Sequence, residues 1–524
     1  MPSPAHAAPS APAADLLLYA GHILTLDPSR PRAEAVAIAG GTILAVGTEQ
    51  ELRPFVSHRT QTLPCAGQTV LPGFIDPHLH LFAWASRYCG ADLSTAQSIP
   101  AIQHLLKARL ANLGHIGSRE WLRGYGYDEF FLTEKRHPNR RDLDVVTTDH
   151  PIILRHRTGH AAVLNSAALK RVGIDGNFTP PDGGNMERSA NGEPTGVAYE
   201  LESFLRTVVP PLSLQEFLSG VQKASKELLR QGVCAFHDAS AGNTLDDLKR
   251  FSQLHADGTL LPHTTVMVGI DAFSQVLDAK CEPFSQHGQV RLGSIKIMLH
   301  ESGGDLYPHP DDLAKMVWQV HQHGFQVAIH AVEEAPICAA LEAIRQAQRR
   351  LPRSDQRHRI EHCTLCPPPF LDTLAETGCV VVMQPGFLHF YGDKYAAEID
   401  PELHDWLYRI KSFQDRGIPV VGSSDCPIAP QAPLAAMQAA MMRQSQTGIS
   451  FNPAERFSLS EAISLFTSAG AWIGFEENQA GRIIPGMRAD LVVLDSDLTT
   501  LSPESISSAT VQTTIIDGQV VWSV

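Results

Sequence analysis

No apolar run in this chain approaches the ~18–20 residues that a membrane-spanning helix needs, so the sequence is read without a transmembrane segment. Cysteine is scarce: nine thiols, an odd number, are scattered through 524 residues. That pattern excludes a disulfide framework and points to reduced thiols. Cys363-x-x-Cys366 matches a redox or zinc pair only formally, because no second CxxC exists and three prolines follow it. Positive charge is also in deficit. Lys and Arg number 42 against 56 Asp and Glu, a net charge of −14, which argues against nucleic acid or an anionic membrane as a partner. Residues 1–14, MPSPAHAAPSAPAA, lack a basic leader, and the apolar patch Leu16–Ala20 is too short for a signal sequence. A disordered tail over 1–14 and a cytoplasmic protein are therefore expected. No internal repeat is evident.

What is present is an ordinary globular composition, 43% hydrophobic and 19% charged, in a chain long enough to bury a large core. Its most informative stretch is Leu71–His80, LPGFIDPHLH. An apolar run is kinked at Pro72-Gly73 and leads into His78 and His80. Side chains two apart on a strand share a face, so both imidazoles can aim at one point, as half of a metal site.

The two ends of the chain read as short strands. Leu16–Tyr19, His22–Leu26, Ala35–Ile38 and Thr42–Val46 come first, with Gly40-Gly41 as a hairpin turn; Leu491–Leu494, Thr513–Ile516 and Gln519–Trp522 come last, with Asp517-Gly518 as another. We expect residues 15–69 and 481–524 to form one small β-sandwich domain from both termini. Between them, over 70–480, strand-like runs alternate with amphipathic stretches. The strand candidates are Leu71–Pro77, Val233–Asp238, Thr264–Ile270, Ser294–Leu299, Gln326–Ala331, His358–Cys363, Cys379–Gln384 and Pro419–Ser423. Eight strands in βα alternation predict an α/β fold, a TIM-like (β/α)8 barrel. The long gap after the first strand predicts a large insertion, an added subdomain at about 85–230 that covers one mouth of the barrel.

Chemistry in such barrels gathers where the strands end. Those ends carry His78 and His80 (first), Lys296 (fourth), His330 (fifth), His362 (sixth) and Asp425 (eighth). Taken singly, each has an ordinary structural reading: a snorkelling lysine, a core histidine, an aspartate capping the next helix. Taken together, four histidines, a lysine and an aspartate on one face describe a dinuclear metal site. Lysine fits only as an N6-carboxylated carbamate, since an ammonium cannot ligate a cation. Two divalent ions, zinc by expectation, would then share a bridging hydroxide at neutral pH.

These motifs resemble those of the amidohydrolase superfamily, in its family-3 (YtcJ-like, N-substituted formamide deformylase-like) branch. The resemblance covers Asp15 to Trp522. It rests on LPGFIDPHLH, on the stretches Trp121–Asp128, Arg157–Ser166 and Gly192–Val197, on A-I-H-A-V at Ala328–Val332 and R-I-E-H at Arg359–His362, and on M-Q-P at Met383–Pro385, G-S-S-D-C-P at Gly422–Pro427 and Gly486–Asp495. It implies the barrel with its terminal β domain and metal ligands at the six positions above. It also implies hydrolysis of an amide, formamide or cyclic-imide C–N bond of a small molecule, with Asp425 as general base. A homodimer is a family-level expectation only. His160, in R-T-G-H, is the candidate for binding substrate and stabilising the developing oxyanion, because the family carries a histidine there. His237 is a weaker second candidate, read first as structural. Arg155, His156 and Arg157 could meet an acidic substrate group. Trp121, Tyr125, Tyr127, Phe130 and Phe131 could line an apolar pocket. The chain departs from the branch after His330, where Ala-Val-Glu-Glu stands. His330-x-x-Glu333 therefore supports a second reading, a mononuclear deaminase of an aminated heterocycle. A third, a binding protein on a dead scaffold, separates from both by metal content.

Overall fold

The computed structural model describes residues 13–112 and 121–524. The expected tail lies outside them apart from Ala13 and Ala14, and the amide of Ala14 bonds the carbonyl of Phe55. Eight strands run parallel in one sheet: β1 (Phe74–Leu79), β2 (Val233–Asp238), β3 (His263–Gly269), β4 (Val290–Met298), β5 (Val327–Ala331), β6 (Arg359–His362), β7 (Val380–Met383) and β8 (Val420–Gly422). The result is a TIM-like α/β fold with a nearly closed barrel. Strands such as β1, β2 and β7 are buried along their whole length, as expected of parallel strands covered on both faces. The seam between β8 and β1 has no ladder. It is bridged by two amide hydrogen bonds, Asp425 N–H to the His78 carbonyl (2.8 Å) and His80 N–H to the Cys426 carbonyl (2.7 Å).

The first barrel strand starts three residues later than its sequence suggests. Thr69–Pro72 belongs instead to a six-stranded sheet at the termini, where it pairs antiparallel with Leu491–Leu494. Gly73 marks the hand-over. A Cβ there would sit 2.3 Å from Cys234 Sγ, so only glycine lets the chain pass this close to β2. A second sheet of four strands is built from Leu16–Tyr19, Ala35–Ala39, Thr42–Gly47 and Gln61–Pro64. The two terminal sheets share an apolar core that includes Leu18, Ile38, Val70, Leu491 and Ile515. Gly40 and Gly41 both have positive φ, +56° and +79°, the twist that a two-residue hairpin requires.

Between β1 and β2 the chain builds its own six-stranded sheet. From edge to edge it runs Asn185–Arg188, Pro194–Tyr199, Ala161–Leu164, Ile152–His156, Leu122–Tyr127 and Ala91–Asp92. Trp121, Tyr125 and Tyr127 are buried in this insertion. Phe131 is exposed, and Phe130 lies under the ammonium groups of Lys135 and Lys394. The expected aromatic pocket is thus mostly core. The inserted sheet needs large side chains to fill its two faces, and these three supply them.

At the other end of the barrel, His263 opens β3 and faces Asp490 and Asp517 from the terminal sheet, at 3.4 and 3.5 Å. Burial would lower its pKa, but the two carboxylates outweigh burial and push it up to about 9. A histidine raised in the folded state contributes stability that is complete below its unfolded pKa of about 6.5 and is lost as pH rises through about 9. Thermal unfolding between pH 7 and 10 should therefore show a loss of about 1–2 kcal/mol from this joint. In His263→Gln that slope should flatten; an unchanged slope would disprove the assignment.

Candidate active site

Six of the sequence-predicted side chains meet at the ends of five barrel strands. His78 and Asp425 are buried, and His80 is half-buried on the loop leaving β1. One ligand atom from each of these three lies within 4.8 Å of the others. Asp425 Oδ1 is 3.0 Å from His80 Nε2 and 3.5 Å from His78 Nε2, and its Oδ2 is 3.9 Å from His362 Nδ1. The His78 and His362 rings are 5.0 Å apart between centroids, and His362 and His330 are 4.5 Å apart. Lys296 Nζ, two residues before the end of β4 and 1% exposed, stands 3.5 Å from His78 Nε2. His362 and Asp425 both take the left-handed backbone conformation, with φ +73° and +56°. Non-glycine residues adopt it rarely, and such positions cluster at functional sites. At both positions it turns the side chain inward as the strand ends.

Three of the four imidazoles are held by their second nitrogen. Glu361 takes His78 Nδ1 at 2.5 Å, Gln384 Oε1 takes His362 Nδ1 at 2.8 Å, and Ser240 Oγ lies 3.1 Å from His80 Nδ1. Glu361 is itself locked by Arg359, which donates to it at 2.6 and 3.0 Å and to the Pro77 carbonyl at 2.9 Å. Orientation of this kind is the usual second layer of a metal site. It leaves the Nε2 atoms of His78 and His362 free to face the centre.

Burial, reinforced by the Lys296 charge, holds His78 well below the ordinary histidine range. The same happens to His330 through burial and its neighbours His362 and Lys296. Neutral imidazoles are what a cation requires. Burial would raise Asp425, but the His80 hydrogen bond and the surrounding imidazoles hold it well below the usual carboxylate range. Burial pushes Lys296 down to about 8. Nitrogen donors with one ionised carboxylate suit a borderline divalent ion such as zinc, so the residues present fit a metal centre.

His160 arrives from the insertion. Its ring lies 5.9 Å from that of His330, and its Nδ1 is 2.8 Å from Glu200 Oε1. Burial would lower its pKa, but Glu200 more than compensates and raises it. His237 is buried one layer below the cluster and takes a hydrogen bond from Arg359 (3.3 Å); its place is structural. Arg155 is paired with Glu202. Arg157 bonds Asp128 at 2.8 Å and stacks 3.6 Å over Tyr391, clamping the insertion onto the barrel. Glu333 is exposed just before the helix Glu334–Arg350, with no bond to the histidines among the described residues. The deaminase reading therefore gains no support from the geometry.

Sequence reasoning did not single out Arg359, Glu361, Gln384 or Glu200. One signal was available: two charged residues at i, i+2 in a short strand must pair if buried, as Arg359 and Glu361 do.

With this geometry in place, comparison with known proteins is informative. The sequence pattern of the amidohydrolase family matches residues 61–522. The chain is 28% identical to the YtcJ amidohydrolase of Bacillus subtilis (strain 168), over 96% of this chain and 98% of that one. It is 27% identical to the N-substituted formamide deformylase of Arthrobacter pascens, over 96% and 97%. In fold it is similar to an uncharacterized metal-dependent hydrolase from Pyrococcus horikoshii, with TM-score 0.75, 21% identity and coverage of 93% and 99%.

Proposed function

This chain belongs to the amidohydrolase family and is a hydrolase of carbon–nitrogen bonds, and from that premise we propose that it is metal-dependent and cleaves an amide, formamide or cyclic imide of a small molecule with Asp425 as proton carrier. The observation that carries this reading is the meeting of His78, His80 and Asp425 within 4.8 Å, with Lys296 and His362 beside them. His78, His80, Lys296, His330, His362 and Asp425 would hold the metal, two ions if Lys296 is N6-carboxylated. When bound, the cations supply a water acidic enough to ionise at neutral pH and polarise the substrate carbonyl. Asp425, kept ionised by its neighbours, accepts the proton of the attacking water at a carboxylate oxygen and passes it to the departing nitrogen.

His160 would donate from Nε2 to the oxygen on which negative charge develops. With Nδ1–H committed to Glu200, Nε2 carries a proton only in the imidazolium, and Glu200 favours that form. Activity should thus fall on the alkaline side as His160 deprotonates. Glu200→Gln is expected to move this fall to lower pH and reduce kcat/KM roughly ten-fold. A pH–rate profile identical to wild type would remove His160 from this role.

The reading as a whole is tested by measuring metal per chain in the purified protein and then assaying N-formyl, N-acyl and cyclic-imide compounds for amine release. Bound metal with hydrolysis of one of these classes supports it. A metal-free protein that gains no hydrolysis on adding zinc would end it.

A further inference from the structure

Asp76 lies on β1 two residues before His78 and is 1% exposed. Among the described residues it has no lysine, arginine or histidine side chain within ion-pairing distance. A carboxylate buried without a cation is costly and has to be held by hydrogen-bond donors. Three hold this one. The His78 amide donates to Oδ1 at 3.1 Å, the Ser424 amide to the same oxygen at 3.2 Å, and the Ser424 hydroxyl to Oδ2 at 2.5 Å. Ser424 Oγ accepts in turn from the amide of Cys426 at 2.9 Å. These donors come from both sides of the seam between β8 and β1, where no ladder runs. Both oxygens of Asp76 are taken up by them, so it is a brace and not a further ligand.

The backbone shows why a brace is needed there. On a regular strand Asp76 and His78 would share a face. Between Asp76 and Leu79, however, β1 carries one extra residue against β2, and such a bulge re-aims side chains. His78 turns to the histidine cluster while Asp76 reaches across the seam. On the far side, Asp425 is held at φ +56°, a conformation that persists in a non-glycine residue only where its surroundings enforce it. Ser424 and Cys426, its two neighbours, are the residues that the Asp76 carboxylate and the Ser424 hydroxyl tie down.

We infer that Asp76 and Ser424 are a positioning pair for the hydrolytic reaction. Through them the backbone at residue 425 is fixed so that the Asp425 carboxylate stands 3.0 Å from His80 Nε2 and 3.5 Å from His78 Nε2. The inference rests on the reading of Asp425 as proton carrier.

The test is a double-mutant cycle, with kcat, KM and metal per chain measured for Ser424→Ala, Asp425→Asn and the two combined. Ser424→Ala removes a half-buried hydroxyl and leaves the backbone bond to Asp76 in place. Its kcat should fall about ten-fold, with KM within about two-fold of wild type and metal content unchanged. In Asp425→Asn no proton carrier is left to place, so adding Ser424→Ala should lower kcat by less than about two-fold. Asp76→Ala, which releases all three donors, should fall below Ser424→Ala. Asp76→Asn still accepts from both amides and should recover at least to the level of Ser424→Ala. An equal loss from Ser424→Ala in both backgrounds would make the pair merely structural and overturn the inference. Loss of metal from Ser424→Ala would overturn it too, by placing the brace in metal binding. Near-normal kcat in Asp425→Asn alone would end the proton-carrier reading and the inference with it. Reduced kcat there beside wild-type kcat in Ser424→Ala would end the inference only.

Discussion

Asp425→Asn is expected to retain metal and to lower kcat by roughly 10²–10⁴-fold, the usual worth of a positioned proton carrier. Asparagine keeps the shape of the side chain and one acceptor oxygen for His80 Nε2, now 3.0 Å from Asp425 Oδ1. It keeps the backbone bond from residue 425 to the His78 carbonyl, which helps to close the barrel seam. What it loses is the capacity to take a proton. In the native protein three imidazoles and a hydrogen bond hold this carboxylate far below its ordinary pKa despite its burial, so it is ionised across the working pH range. Steady-state kinetics on the best substrate, with elemental analysis of the same sample, check this. A near-normal kcat would remove Asp425 from proton transfer, whereas loss of metal would show that its first duty is as a ligand.

Lys296→Met should reduce metal content and lower activity by about 10–100-fold or more, and in Lys296→Ala short carboxylates such as formate or acetate should restore part of both. Lys296 is 1% exposed, and no carboxylate lies within ion-pairing distance of its Nζ among the described residues. An unpaired ammonium so deeply buried is costly. With its pKa lowered to about 8, roughly a tenth is neutral amine at neutral pH, far more than for an ordinary lysine. The amine lone pair can add to the carbon of CO2, forming an N–C bond and releasing one proton, to leave a carbamate with two ligand oxygens. Methionine preserves most of the volume, so the variant separates lost ligation from a packing cavity; an alanine there would open space for the rescuing acid. Full metal occupancy in Lys296→Met, or no response of Lys296→Ala to added carboxylate, would count against a carbamate.

Much of the fold was legible along the chain because parallel barrel strands are buried on both faces and read as continuous Val/Ile/Leu runs. Val233–Asp238 was placed to the residue, and Gly40-Gly41 turns where expected. Leu71 and Pro72 were misassigned because hydrophobicity does not say which sheet a residue joins. Pairing with Leu491–Leu494, over 400 residues away, decides that. The aromatic residues of the insertion were misread for a related reason: a cluster of rings looks alike whether it fills a core or lines a pocket.

The sequence by itself determined which side chains reach the C-terminal end of the barrel, since the period of a strand and the place where it stops are local properties. Only the tertiary structure decided what each would be able to do there. His78 is turned by Glu361, 283 residues away, and Asp425 is kept ionised by imidazoles from the first and sixth strands. Partnerships over such separations leave no local trace, because they are set by closure of the barrel rather than by any stretch of chain.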